Sequence, residues 1–235
     1  MVTFLTKERA EQLVGTKIKN LDLYQKAFTH KSALKEYERF AESFETLEFI
    51  GDSVLGFVIT KFLFDRYESK QEGFLTKART KLVRGETLAK IANSLNLNEL
   101  VIMDEKGMRN GWNNNPKILE DVFEALIGAI YMDIGLIHAK EFILRIYQDS
   151  NIVDMNSIMI DDNFKDHLMR HCQVNNWPLP DYRVAAHHEG LFYIDIYINN
   201  GFVARGVAKS KKQAEQNAAQ TYFNVAEELK TYNFN

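Results

Sequence analysis

The run Glu45-Thr46-Leu47-Glu48-Phe49-Ile50-Gly51-Asp52-Ser53-Val54-Leu55 decides how this chain is read. On an α-helix each residue advances about 100°. Glu45 and Asp52 then lie about 20° apart, and Glu48 about 60° from Glu45, so the three acids share one face. The rest of that helix carries Leu47, Phe49, Ile50, Val54, Leu55 and Phe57. A helix apolar almost all round is expected to be buried. Three like charges on a buried helix are strongly unfavourable unless cations compensate them. Asp121-Val122-Phe123-Glu124 repeats the theme, with two acids three residues apart at the head of a second apolar segment. Hard divalent cations such as magnesium take oxygen ligands, often one or two carboxylates plus waters and phosphate oxygens. Two acid-bearing helices facing each other would make such a site. A lone glutamate is usually a solvated position or a salt-bridge partner. Glu45, Glu48, Asp52, Asp121 and Glu124, all at helical spacing in apolar segments, fit that bland reading poorly.

Outward from these segments, residues 1–150 read as mostly helical, with three-and-four spacing of apolar residues through 47–64, 82–95 and 118–131. The polar stretch 107–116 (GMRNGWNNNP) reads as a loop. Residues 151–160 form a connector, and Asp161-Asp162-Asn163 offers a helix N-cap. The pattern then changes. A helix is expected over 164–174, broken by Trp177-Pro178-Leu179-Pro180, with strands over 182–187, 191–198 and 202–208. The middle strand alternates Phe192, Ile194, Ile196 and Ile198 with Tyr193, Asp195 and Tyr197. Asn200-Gly201 signals a hairpin turn. A long alanine-rich helix over 210–229 completes an α-β-β-β-α order, one small α+β domain.

Lys209, Ser210, Lys211 and Lys212 open that last helix. Lysine opposes the helix dipole there, so a cluster of them suggests an external anion held by side chains and exposed backbone N–H groups together. His167, His171 and Cys172 have a spacing zinc can use. A structural zinc site wants four ligands, however, and no second motif supplies the rest. His171 is therefore read as filling an aromatic position and His167 as exposed.

The bulk numbers set bounds. A 235-residue chain with 46% hydrophobic and 26% charged residues has the balance of a globular protein of one large or two small domains. The net charge of −3 argues mildly against nucleic acid unless positive charge is clustered. Cys172 is the only cysteine, which excludes an intrachain disulfide and fits a reducing compartment. No stretch reaches the roughly 18 apolar residues of a membrane span. The N-terminus lacks the apolar core of a secretion signal, so a cytoplasmic location is expected.

Residues 45–55 resemble the signature of the ribonuclease III family, and residues 121–131 resemble its second acidic motif. Gln71-Glu72-Gly73, the stretch KARTKLVRG at 77–85 and Phe28-Thr29-His30-Lys31-Ser32 also resemble it, in order along the chain. The second half is similar to the double-stranded-RNA-binding domain through KSKKQAEQNAA at 209–219 and Leu179-Pro180-Asp181-Tyr182. The resemblance implies a multi-domain chain: an all-α nuclease domain over 1–156 and an α+β RNA-binding domain over 157–235. It implies an endonuclease that hydrolyses double-stranded RNA with magnesium, or manganese in its place, leaving 5′-phosphate and 3′-hydroxyl ends. Glu48, Asp52, Asp121 and Glu124 match the catalytic, metal-holding carboxylates, and Glu45 and Glu72 match accessory acids. His30 is expected to be structural. Phe49 lies where the family has a homodimer contact, and no membrane partner is implied.

Lys209, Ser210, Lys211 and Lys212 are the implied phosphate contacts on duplex RNA, which such domains read by A-form shape across minor grooves. The chain also departs from the family. Phe44 and Thr46 stand where Asn and Arg are common. Arg170 stands where a glutamate contacting ribose is expected, so it would instead meet phosphate. His187-His188-Glu189-Gly190 is short and lacks the usual Gly-Pro-x-His, leaving His187 or His188 as partial substitutes. Two rivals are a duplex-RNA binder with an inactive nuclease fold, which loss of an essential acid would betray, and a structural dimer unconnected with RNA, against which the lysines argue.

Overall fold

The structure, a computed structural model, describes residues 5–155 and 163–232, with side chains through residue 225. The chain divides into two compact units, Met1–Met159 and Ile160–Asn235. The described part of the first is all helical: α1 (Lys7–Val14), α2 (Leu21–Ala27), α3 (Glu45–Arg66), α4 (Glu72–Leu82), α5 (Gly85–Ser94), α6 (Glu105–Arg109), α7 (Pro116–Ile134) and α8 (Leu136–Gln148). Short 3₁₀ turns lie between them. Among the described residues no helix is long and apolar enough to cross a membrane.

The centre of this unit is α7. Its start is specified locally: the Asn115 side chain accepts a hydrogen bond from the Lys117 backbone N–H at 2.9 Å, and Pro116 takes the first helical position. Leu119, Val122, Phe123, Leu126, Ile127 and Ile130 are fully buried along it, and α2, α3, α5 and α8 pack around it. Near its other end Asp133 accepts hydrogen bonds from the Lys19 and Asn20 backbone N–H groups at 2.8 and 2.9 Å and from the Tyr24 hydroxyl at 3.1 Å. That carboxylate ties the head of α2 to the tail of α7.

Three readings of the sequence change here. Helix α3 is not buried all round. Leu47, Val54, Leu55, Val58, Ile59 and Leu63 are buried against the unit, whereas Phe49, Phe57 and Phe64 are 78%, 60% and 63% exposed. Only one side of α3 finds a neighbour in its own unit. The stretch 107–116 is not a plain loop. Asp104 caps α6 by accepting from Gly107 N–H at 3.1 Å. A 3₁₀ turn at Trp112–Asn114 is pinned by Asn98 Nδ2 donating to Asn114 Oδ1 and Asn113 Nδ2 donating to Asn98 O. Side-chain amides satisfy the backbone where composition suggested a loop. The apolar period read over 82–95 spans a break: α4 ends at Leu82 and α5 begins at Gly85.

The second unit runs α9 (Phe164–Val174), β1 (Asp181–His188), β2 (Leu191–Ile198), β3 (Gly201–Ala208) and α10 (Lys211–Tyr232). The antiparallel sheet has the order β1-β2-β3. Ile196, Ile198, Leu168, Cys172, Ala204, Ala218 and Ala219 form its core, and Cys172 has no exposed surface. The α-β-β-β-α order is the one expected. The hairpin turn moves by one residue. Asn199 and Asn200 both have positive φ, 52° and 62°, while Gly201 is the first residue of β3, opposite Ile198. A type I′ two-residue turn needs φ > 0 at both central positions, and asparagine tolerates this. Likewise His187 and His188 belong to β1, and the turn is Glu189-Gly190, with φ of 51° and 74°. His167 is half-buried, with ring contacts to Phe164 and Phe223. His171 lies among Trp177, Tyr222 and Phe223, the aromatic position expected of it. The expected cap at residues 161–163 falls mostly outside the described residues.

Candidate active site

The site is built by a close crossing of α3 and α7. A Cβ on Gly51 would stand 1.8 Å from the Glu124 carbonyl oxygen, and one on Gly128 would stand 2.1 Å from the Leu47 carbonyl oxygen. The two backbones touch at these glycines. Mid-helix glycine costs about 1 kcal/mol relative to alanine, so its presence in both helices reflects that contact. Glu48 and Asp52 lie three residues before and one after Gly51. Asp121 and Glu124 lie seven and four before Gly128. The crossing therefore brings the acids of the two helices together.

Carboxylate oxygens of Glu48, Asp121 and Glu124 all lie within 4.8 Å of one another. Glu124 is buried at 7% exposure, while Glu48 and Asp121 are half-buried. Burial pushes the Glu124 carboxyl up to about 8, and the charges of Asp52, Glu120 and Glu48 push the same way. Burial also raises Glu48, helped by the charge of Asp121. Lys117 Nζ stands 2.7 Å from Asp121 Oδ1 and 3.5 Å from Glu120 Oε2. Asp121 Oδ1 is buried, and the Lys117 ammonium is the cation that faces it. That contact with Asp121 holds the lysine's pKa above its ordinary value. A cluster of three carboxylates held close, two of them resisting ionisation, is a donor set suited to a hard divalent cation.

The other expected residues are placed less uniformly. Asp52 is exposed and acts on the cluster through its charge on Glu124. Glu45 is exposed, ion-paired with Lys31 at 3.3 Å, and its charge reaches Glu48. The acidic face expected to be buried on α3 is thus only partly buried: Glu48 is half-buried, while Glu45 and Asp52 are exposed. Glu72 opens α4 and accepts from Thr76 Oγ1 at 2.8 Å, and it does not join the three-carboxylate group. His30 is structural, as expected: its Nδ1 accepts from the Ser32 backbone N–H at 3.2 Å and its ring meets Phe44. Burial, aided by Lys31, lowers its pKa. Sequence reasoning missed Lys117, Glu120, Gly51 and Gly128. The signals were present: Lys117 stands four residues before Asp121, Glu120 immediately before it, and the glycines interrupt apolar helices.

In the second unit Lys209, Ser210, Lys211 and Lys212 are all exposed at the head of α10. Ser210 is the cap rather than the first helical residue, with its Oγ accepting from Gln213 N–H at 3.3 Å. Ala214, Ala218 and Ala219 are buried on the opposite face. Gly206 lets the α10 backbone lie directly on β3, since a Cβ there would meet Ala214 O and Ala218 N at 2.2 Å. The fold therefore fixes the backbone at the head of α10, and the lysines there are open to solvent. Arg170 is ion-paired with Asp166 at 3.0 Å on the exposed side of α9. His187 stacks on Phe192 with centroids 4.2 Å apart, and exposed His188 lies 3.8 Å from the Glu189 carboxylate.

Comparison with known proteins agrees with this architecture. The Ribonuclease-III-like family model matches residues 20–150, and the double-stranded RNA binding motif matches residues 164–225. A protein of Paramecium bursaria Chlorella virus 1 is 43% identical over 92% of this chain and 77% of its own length. Ribonuclease 3 of Nitrosococcus oceani is 36% identical over 90% of this chain and 91% of its own. The crystal structure of the nuclease domain of ribonuclease III from Campylobacter jejuni is 40% identical, with a TM-score of 0.54, covering 59% of this chain and 90% of that one. With its helical unit followed by an α-β-β-β-α unit, this chain belongs to the ribonuclease III family.

Proposed function

We propose that this chain is an endoribonuclease that hydrolyses phosphodiester bonds in double-stranded RNA, leaving 5′-phosphate and 3′-hydroxyl ends. The observation that carries this reading is the convergence of Glu48, Asp121 and Glu124 within 4.8 Å from two helices. Glu48, Asp52, Asp121 and Glu124 would hold magnesium, or manganese in its place. Bound there, the metal would lower the pKa of a water and stabilise charge on the leaving oxygen. The chain's own residues supply the rest. Two helices in backbone contact fix the carboxylates before substrate arrives, which is the preorganisation such chemistry needs. Burial of Glu124 favours its proton until a cation replaces it. Glu45 and Glu72 are accessory acids, and the charge of Glu45 already reaches Glu48.

Lys209, Ser210, Lys211 and Lys212 would clamp phosphates of the duplex, with Arg170, His187 and His188 as the remaining contacts. Their exposure at the head of α10 and on α9 and β1 supports this. Residues 1–156 would then be the nuclease and residues 157–235 the binding domain of a cytoplasmic protein. Phe49 would lie in a homodimer contact, a reading supported by its exposure beside Phe57 and Phe64.

The test is incubation with long duplex RNA and magnesium, repeated with chelator. Residues 1–156 alone should cut only at low salt, and residues 157–235 should bind duplex RNA without cutting it, because phosphate contacts release counterions. Cutting by the truncated nuclease that is equally fast at every salt concentration would remove the second domain's role as clamp. Sedimentation equilibrium at micromolar concentration should give a dimer, and a strict monomer that still cuts both strands would contradict the Phe49 contact.

A further inference from the structure

Lys117 sits where its own helix does not favour it. It is the second residue of α7, at the positive end of the helix dipole. Its partner Asp121 lies four residues later, and a lysine ahead of its acid is the weaker order for such a pair. The ammonium nonetheless stands 2.7 Å from Asp121 Oδ1 and 3.5 Å from Glu120 Oε2. The charge of Glu48 acts on it too, and it in turn favours ionisation of Glu48 and Glu124. What offsets the local cost is therefore the acidic cluster as a whole.

We infer that Lys117 is an internal counter-ion of the metal site, whose ammonium occupies Asp121 in the metal-free protein and must leave it before a divalent cation binds. This rests on the reading of the cluster as the metal site. A metal ion that took Asp121 Oδ1 would draw on the oxygen the ammonium already faces. A hard divalent cation approaches a ligand oxygen to about 2.0–2.6 Å. An ammonium still at 2.7 Å from that oxygen would face the cation within about 5 Å, where their repulsion in a half-buried site far exceeds thermal energy. Lysine is suited to the exchange. Its stem is flexible, its charge is compact and well hydrated, and 64% of its side chain is open to water. Metal uptake is then the replacement of one cation by another. The lysine stabilises the metal-free site and weakens its hold on metal.

The experiment uses the full chain without RNA, titrated with magnesium by calorimetry and by thermal unfolding. Lys117→Met should bind magnesium on the order of tenfold more tightly than the wild type. Its metal-free form should melt lower, so that the rise in Tm on adding magnesium is larger. The wild type provides a second readout that needs no variant. Labelling with an amine-reactive ester, mapped by peptide mass, should modify Lys117 several-fold faster with magnesium than with chelator. Equal magnesium affinity in both proteins, or labelling of Lys117 that ignores magnesium, overturns the inference while leaving the metal site standing. A wild type that binds no magnesium overturns the site and the inference together.

Discussion

Glu124→Gln will abolish cleavage of duplex RNA and leave binding of that RNA intact. Glutamine keeps the size of the side chain and the packing of α7, and it removes the charge a metal needs. Loss of a ligand that supplies several kcal/mol of charge stabilisation corresponds to a rate drop on the order of a thousandfold or more. The lysines that would hold RNA lie in the other unit, so a gel shift should not change. The variant also separates charge from structure through pH. In the folded protein Glu124 is pushed up to about 8 from an ordinary value near 4.5. The native state thus binds the extra proton between those values, and its stability falls as pH rises from about 4.5 through about 8. The contribution lost is on the order of a few kcal/mol. Without metal, the glutamine variant should melt above the wild type at pH 8.5 and match it more nearly at pH 5. Magnesium should raise the wild-type Tm more at pH 8.5 than at pH 6, and hardly raise the variant's. Wild-type cutting rates in the variant would sink the assignment of Glu124.

Gly51→Ala is expected to be the most damaging single methyl group in the nuclease unit. Its Cβ would fall 1.8 Å from a backbone oxygen of α7 and 2.9 Å from the Gly128 nitrogen. Neither is the end of a flexible side chain, so the helices themselves must part. Overpacking of this kind costs about 3 kcal/mol. Parting α3 from α7 also spreads Glu48 from Asp121 and Glu124, and a 1 Å misplacement costs on the order of a hundredfold in rate. Gly56→Ala provides the control on the same helix, because a Cβ there meets nothing within 4 Å. That substitution should be neutral or stabilise the chain by about 0.5 kcal/mol through helix propensity. Denaturant unfolding of both variants decides the matter. Equal effects at the two glycines would show that the α3–α7 contact is not what Gly51 is for.

The contrast between these glycines indicates what a sequence can carry. The shared face of Glu45, Glu48 and Asp52 and the strand alternation through Ile194, Ile196 and Ile198 were legible, because helical and strand periods fix direction around a single element. Which side of α3 would find a neighbour was not legible, because that depends on packing between elements distant in sequence. The expected burial of all three α3 acids failed for the same reason. Lys117 was overlooked because an ammonium near a carboxylate matters only once Glu48, from another helix, stands beside both. The turn at Asn199-Asn200 was misplaced by one residue because Asn-Gly and Asn-Asn both tolerate positive φ, and cross-strand pairing chose between them. The lysines at the head of α10 were legible as a cluster, but where that helix lies on the sheet depends on the contact at Gly206.

Cys172 gives the second unit a built-in chemical clock. It is the chain's single thiol, it lies wholly inside that unit's core, and burial raises its pKa above that of a free cysteine. A thiol reagent reacts only when that core opens, and where reclosing outpaces alkylation its rate follows the fraction of time the core stands open, with no background signal from the nuclease unit. Timed alkylation of the intact protein thus measures how often the RNA-binding unit unfolds by itself. Repeated with duplex RNA, the slowing of the reaction reads the binding energy taken up by that unit alone.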